Sequence, residues 1–193
     1  TRTVYNGIVF LSQVSLSEKE GDVASVLVEG YLSLFERIVS TEDLRARLLS
    51  ALLTGINRTF PYLSDSAALA RHTDALFKIV HSDSFSSATQ ALTLLSYLVL
   101  AKDRKVFSEG EEDDSKTLSA RFYRALYAKL LSETVLSRAR NTMFLNLLFK
   151  SIKRDPSDRR SAAFLKRLAI CATNSSPNIA AGYLLLISEI CRS

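Results

Sequence analysis

The chain has 193 residues, 25 Lys plus Arg against 20 Asp plus Glu, a net charge of +5, and 47% hydrophobic residues. Six Gly, three Pro, two Cys and no Trp exclude collagen-like, disordered and disulfide-framework classes. A chain of this length buries roughly 70% of its unfolded surface and folds on its own core.

Apolar residues recur at helical spacing nearly everywhere and no long stretch alternates with period two, so the expected class is all-α. Helices are expected over 4–16, 22–39, 42–54, 65–81, 84–101, 118–131, 134–153, 156–172 and 177–191. Thr41, Asp65 and Asp83 or Ser84 are N-cap candidates, and Gly55 is expected to close the third helix in the left-handed conformation. Residues 85–101 are apolar almost all round and carry no charge before Lys102, which predicts a central helix covered on several sides.

Lys102 to Thr117 contains the acidic run Glu109, Gly110, Glu111, Glu112, Asp113, Asp114 and is expected to be a surface loop insertion. Further on, Leu136, Ala139, Met143 and Leu147 share one helix face, and Ile179, Tyr183, Leu184, Ile187 and Cys191 share another; both stripes are expected in the core, as are both cysteines. Asp155 before Pro156 and Ser176 before Pro177 each place a side-chain acceptor at N-cap and a residue without an N–H at N1.

Taken in pairs, the helices start near 22, 65, 118 and 156. Those offsets surround the period of about 40 residues found in HEAT and armadillo arrays. The expectation is one helical-repeat domain over 1–193, an α-solenoid of about four hairpins with residues 102–117 inserted. Met143 is the only methionine, so the chain is expected to be a piece or processed product of a longer one. The charge-free runs 3–17, 84–101 and 168–188 are too polar, too short or too interrupted to read as membrane spans.

No two glycines stand close enough for a phosphate-cradling loop, and there is no G-x-S-x-G, H-E-x-x-H or metal-spaced Cys pair. His72 and His81 fall about 180° apart on a helix, so they cannot share a ligand; each reads as a surface or capping histidine. Glu42 and Asp43 suit a helix start, where negative charge favours the macrodipole. Asn57-Arg58-Thr59 matches a glycosylation triplet of a kind common by chance. No catalytic, cofactor-binding or metal-binding residue is expected, and no small-molecule substrate.

Charge is uneven. Residues 1–114 carry 11 basic and 16 acidic groups, whereas residues 115–193 carry 14 basic and 4 acidic, which points to a polyanion or an acidic partner at the second part. Lys150, Lys153 and Arg154 share one helix face, and Arg159 and Arg160 recur seven residues later as Lys166 and Arg167. The two groups edge a tight turn and are candidates for contact with successive phosphates; the alternative is a solvated face. Arg121, Arg124, Arg138 and Arg140 can extend the patch.

Six segments in order carry a family likeness: YNGIVFLSQ (5–13), LLSALLTGINRTFPYLSD (48–65), LFKIVHSDSFSSATQALTLL (76–95), ARFYRALYAKLL (120–131), NTMFLNLLFKSIKRDPSDRRSAAFLKRL (141–168) and AGYLLLISEI (181–190). Together they resemble the CCAAT-binding-factor family of nucleolar complex proteins. The resemblance implies a non-enzymatic helical scaffold for large ribosomal subunit assembly in the nucleolus or nucleus. It also implies a second nucleolar complex protein as heterodimer partner and pre-ribosomal RNA particles as the setting. The old family name implies an alternative, transcription through CCAAT-containing DNA. The structural and contact positions carried over are Gly55, Asn57, Arg58 and Pro61, then Phe122, Tyr123, Arg124 and Tyr127. An acidic residue commonly precedes the RFY triplet in the family, where this chain has Ala120. Asn57 and Arg58 are expected to bond free carbonyls of a neighbouring repeat or to meet a partner, and Phe122, Tyr123 and Tyr127 to pack between repeats or to stack on bases.

Overall fold

Helical spacing in the sequence becomes helix after helix in the chain, a computed structural model of which describes residues 2–17, 19–40, 46–63, 67–109, 112–131 and 142–192, with no strand among them. The helices among these residues are α1 (Arg2–Ser12), α2 (Gly21–Ser40), α3 (Ala46–Thr59) continued by a 3-10 turn (Phe60–Tyr62), α4 (Ala67–Ala70), α5 (Thr73–Val80), α6 (Phe85–Glu109), α7 (Glu112–Lys129), α8 (Thr142–Arg154), α9 (Asp158–Thr173) and α10 (Pro177–Arg192). They divide into two compact units, residues 1–115 and 116–193.

In the first unit, α2 buries Ala24, Val28, Tyr31, Leu32 and Phe35, and α3 buries Leu49, Leu52, Leu53 and Ile56. Both sets follow the i, i+3, i+4, i+7 rule, and each large side chain so buried contributes about 1.5–3 kcal/mol of transfer free energy. α3 lies against α1, α2 and α6. The central helix expected from the sequence is α6: residues 87–92 are buried all the way round. Its buried hydroxyls have partners, Thr89 donating to the Phe85 carbonyl at 2.8 Å, Thr93 to that of Thr89 at 2.9 Å, and Ser87 Oγ accepting from Ser84 Oγ at 3.0 Å, which lowers the cost of enclosing them.

Gly55 departs from expectation. It lies inside α3, which runs on to Thr59, and its backbone is not left-handed. A Cβ there would stand 2.8 Å from Cζ of the Tyr31 ring, so glycine is present because α2 presses an aromatic face onto the α3 backbone. Gly to Ala in a helix ordinarily gains up to about 1 kcal/mol, but overpacking costs about 1–3 kcal/mol. Gly55→Ala is therefore expected to destabilise by up to about 2 kcal/mol in urea denaturation; a raised midpoint would mean that the Tyr31 ring swings aside freely.

Two polar groups fix α3 on α6. Asn57 Nδ2 donates to the Leu53 carbonyl at 2.9 Å and to the Gln90 carbonyl of α6 at 3.1 Å, while Gln90 Nε2 donates to Thr54 Oγ1 at 2.9 Å. Thr59 of the glycosylation triplet is 3% exposed and Asn57 is bonded to α6, so these two serve packing. His72 and His81 stand at the two ends of α5. His72 is edge-on to Phe35 at 6.0 Å, with Nε2 3.7 Å from Glu36 Oε1.

Some helix ends match the expected caps and others do not. Ser84 caps α6, its Oγ accepting from the Ser87 N–H at 3.4 Å, and Pro177 stands at the first position of α10 with the Ser176 carbonyl accepting from the Ala180 N–H at 2.9 Å. The helix expected over 65–81 is broken at residues 71–72. The stretch 102–117 is helical over 102–109 and 112–117 instead of looped; its Lys, Arg and Glu residues are good helix formers, and the Glu112-Asp113-Asp114 sequence suits a helix start. Thr41, Glu42, Asp43, Asp65, Leu136, Arg138, Ala139 and Arg140 lie outside the described residues.

In the second unit the core is Leu118, Phe122, Leu126 and Leu130 of α7, Phe144, Leu147, Leu148 and Ile152 of α8, Phe164 and Leu168 of α9, and Tyr183 and Leu186 of α10. Three residues expected inside are outside: Met143 is 42% and Leu184 57% exposed, and Cys191 is exposed. α10 is apolar on more than one face, with Leu185 also 65% exposed, so periodicity rightly picks out Tyr183, with Ile179 and Ile187 half-buried, but wrongly adds Leu184 and Cys191. Cys171 is buried and unpaired, its Sγ 3.8 Å from the Leu130 carbonyl. Burial, and then the nearby Cys171, push the Tyr183 phenol up to about 12.

Candidate nucleic-acid interface

The turn between α8 and α9 is built around Asp155. Its side chain is fully enclosed and accepts three N–H groups: Ser157 backbone at 2.9 Å, Arg160 Nε at 2.8 Å and Arg160 Nη2 at 2.6 Å. Such a fork-to-fork pair is the strongest side-chain hydrogen-bond geometry available. Asp155 is consequently not the cap of α9, as the sequence suggested. Ser157 is, with extended backbone (φ −100°, ψ 98°) and Oγ accepting from the Arg160 N–H at 3.4 Å. Asp155 instead closes the turn two residues earlier.

Arg160 has a second engagement, its guanidinium lying 4.4 Å from the centroid of the Tyr123 ring on α7. Tyr123 in turn donates its hydroxyl to the Ser151 carbonyl of α8 at 3.1 Å. Two helical turns on, Arg167 repeats the arrangement with Tyr127, 4.4 Å above its ring centroid, with Nε donating to the Tyr127 hydroxyl at 3.0 Å. Phe164 stands edge-on to both tyrosines, at 5.3 Å from Tyr127 and 6.4 Å from Tyr123. Two stacked cations and three rings therefore hold α9 against α7.

The seven basic candidates thus separate. Arg160 and Arg167 are engaged inside the unit, whereas Lys150, Lys153, Arg154, Arg159 and Lys166 are exposed on both sides of the turn. Lys153 Nζ also rests 5.5 Å from the Phe149 ring centroid. Because Arg160 neutralises Asp155 internally, the carboxylate at the turn does not oppose the surrounding positive charge.

Beside this turn, α7 and α9 leave a groove of about 310 Å³, with Ala120, Tyr123, Arg124 and Tyr127 on one side and Arg160, Ala163 and Phe164 on the other. Sequence reasoning names the tyrosines and arginines but misses Phe164, Ala163 and the buried role of Asp155. The signal for the last is its placement five residues before an arginine across a Pro turn.

Of the motif residues, Phe122 is buried edge-on to Tyr123 at 5.2 Å and Arg124 is exposed at the groove. Gly55, Asn57, Arg58 and Pro61 belong to the other unit. There Arg58 and Pro61 are exposed, and the Arg58 charge offsets part of the upward push that burial gives the Tyr31 phenol. Among the described residues no group of His, Cys, Asp and Glu is placed to hold a metal ion, and no helix is long and apolar enough to cross a membrane.

The family model described as CBF/Mak21 matches residues 88–193. The chain is 36% identical to the CCAAT/enhancer-binding protein zeta of Homo sapiens over 194 residues, covering 100% of the chain and 17% of that protein. It is 31% identical to the ribosome biogenesis protein NOC1 of Chaetomium thermophilum over 224 residues (98% and 20%), and 28% identical to nucleolar complex protein 1 of Drosophila melanogaster over 199 residues (99% and 16%). The chain spans about a fifth or less of the length of these relatives. With more than half of its residues matched by the family model, together with the whole second unit, the chain belongs to the CBF/Mak21 family.

Proposed function

We propose that this chain is a non-catalytic helical scaffold of a ribosome biogenesis factor that acts in assembly of the large subunit, with residues 116–193 touching pre-ribosomal RNA. Its place is the nucleolus, as for the nucleolar complex and ribosome biogenesis proteins it resembles. A second nucleolar complex protein is its partner, in keeping with the relatives' names. The observation that carries RNA contact is the set of exposed cations Lys150, Lys153, Arg154, Arg159 and Lys166 around a turn whose buried carboxylate is already neutralised.

Replacing those five by Glu is expected to lower RNA affinity at least tenfold and to flatten its salt dependence by about 0.7 in log–log slope for each phosphate left without its cation, with the melting temperature unchanged. Unchanged affinity would assign the patch to solvation. The name of the human relative also brings in duplex DNA with CCAAT elements. That reading needs base-edge discrimination, so equal affinity for CCAAT and scrambled duplexes would remove it.

A further inference from the structure

We infer that, on the RNA reading above, the groove between α7 and α9 is a subsite for a single unstacked nucleobase, with the flanking phosphates held at its rim. Three features of the groove select this occupant. The planar surface it offers a ligand is the Arg160 guanidinium, stacked on Tyr123 on one side yet 38% exposed, with the half-buried Tyr127 ring beside it and the buried Tyr123 and Phe164 rings beneath; guanidinium planes and aromatic rings are the surfaces on which splayed-out RNA bases stack. Its width comes from methyl groups, Ala120 on α7 and Ala163 on α9, so a flat group enters where any larger side chain would fill the space.

The rim is cationic. Arg124 is exposed on α7, and Arg159 and Lys166 are exposed on α9 four residues before and three after Ala163, which places them on the same helix face as the groove, about 10 Å apart along the axis. Among the described residues no acidic one lines the groove. Planar surfaces inside and cations above and below match the alternation of base and phosphate in a single strand. At about 310 Å³ the groove admits a nucleobase and excludes a duplex. Arg160 is held by Asp155 and Tyr123 before any ligand arrives, so its plane needs no ordering on binding.

The test uses the full-length protein and a single-stranded oligouridine carrying 4-thiouridine. Photocrosslinks are expected on peptides containing Tyr123 or Tyr127, or on residues 160–167. Ala163→Leu, which fills the groove, and Arg124→Ala, an exposed change that leaves the core intact, should each lower oligouridine affinity on the order of tenfold. Ala163→Leu should leave binding of an abasic oligomer and of a duplex RNA of equal length unchanged, whereas Arg124→Ala, which removes a phosphate contact, should weaken the abasic strand as well. Crosslinks confined to other segments, or equal affinity of the unaltered protein for abasic and base-bearing strands, overturn the subsite. If the five-site Glu variant loses RNA while both groove variants keep it, the subsite falls and RNA contact stands; if the Glu variant keeps RNA, the RNA reading itself falls. Loss of a co-purifying protein from the groove variants, with oligouridine affinity intact, makes the occupant a polypeptide and also overturns the subsite.

Discussion

Phe164→Ala is expected to cost the second unit about 3–5 kcal/mol in urea denaturation, the range for truncating an enclosed aromatic. Phe164 is 2% exposed and stands edge-on to both Tyr123 and Tyr127, so its removal deprives two neighbours of packing as well as losing its own burial. The adjoining groove lets water enter the vacated space, which sets the value toward the lower end. Phe164→Leu keeps most of the volume and should cost under about 1.5 kcal/mol. A loss below about 1 kcal/mol for the alanine variant would show that α7 and α9 are held mainly by the arginine stacks.

Asp155→Ala is expected to be the second largest loss, about 2–3 kcal/mol. Breaking an enclosed ion pair by removing one partner typically costs about 3–5 kcal/mol. Here the Arg160 side chain is 38% exposed, so water recovers part of its solvation and the effect falls below that range. The Ser157 N–H loses its acceptor at the same time. Asp155→Asn, which retains one acceptor oxygen, should fall between the two. A double-mutant cycle with Arg160→Ala should give a coupling of about 1–3 kcal/mol; additive losses would mean that the fork contributes nothing beyond its separate contacts.

Much of the architecture was legible because it depends on short-range spacing. The uncharged run beginning at Phe85 is the enclosed helix α6, and the Ser176-Pro177 pair marks the start of α10, since both signals are local. What was not legible depends on contacts between segments far apart in the chain. Gly55 reads as a helix end because glycine usually marks one, and only the position of Tyr31, 24 residues away, gives it another purpose. Asp155 reads as a cap because Pro156 follows it, yet the arginine fork competes for its carboxylate and passes the capping role to Ser157. Arg160 and Arg167 look like surface charges in a basic segment. Their engagement becomes visible only once α7 places Tyr123 and Tyr127 beneath them. Met143, Leu184 and Cys191 fail for a different reason: short helices with apolar residues on two faces offer periodicity no unique choice.

The contact at Gly55 has a bearing on how this lineage can diverge. An extra carbon on residue 55 would meet the Tyr31 ring at 2.8 Å, so position 55 is free to grow only where position 31 has become smaller. A descendant that enlarges the second must first trim the first, and an intermediate with both bulky groups passes through a poorly folding form. Such a pair slows drift at both of its sites, while the solvent-facing Lys150, Lys153, Arg154, Arg159 and Lys166 carry no such constraint and change on a separate clock.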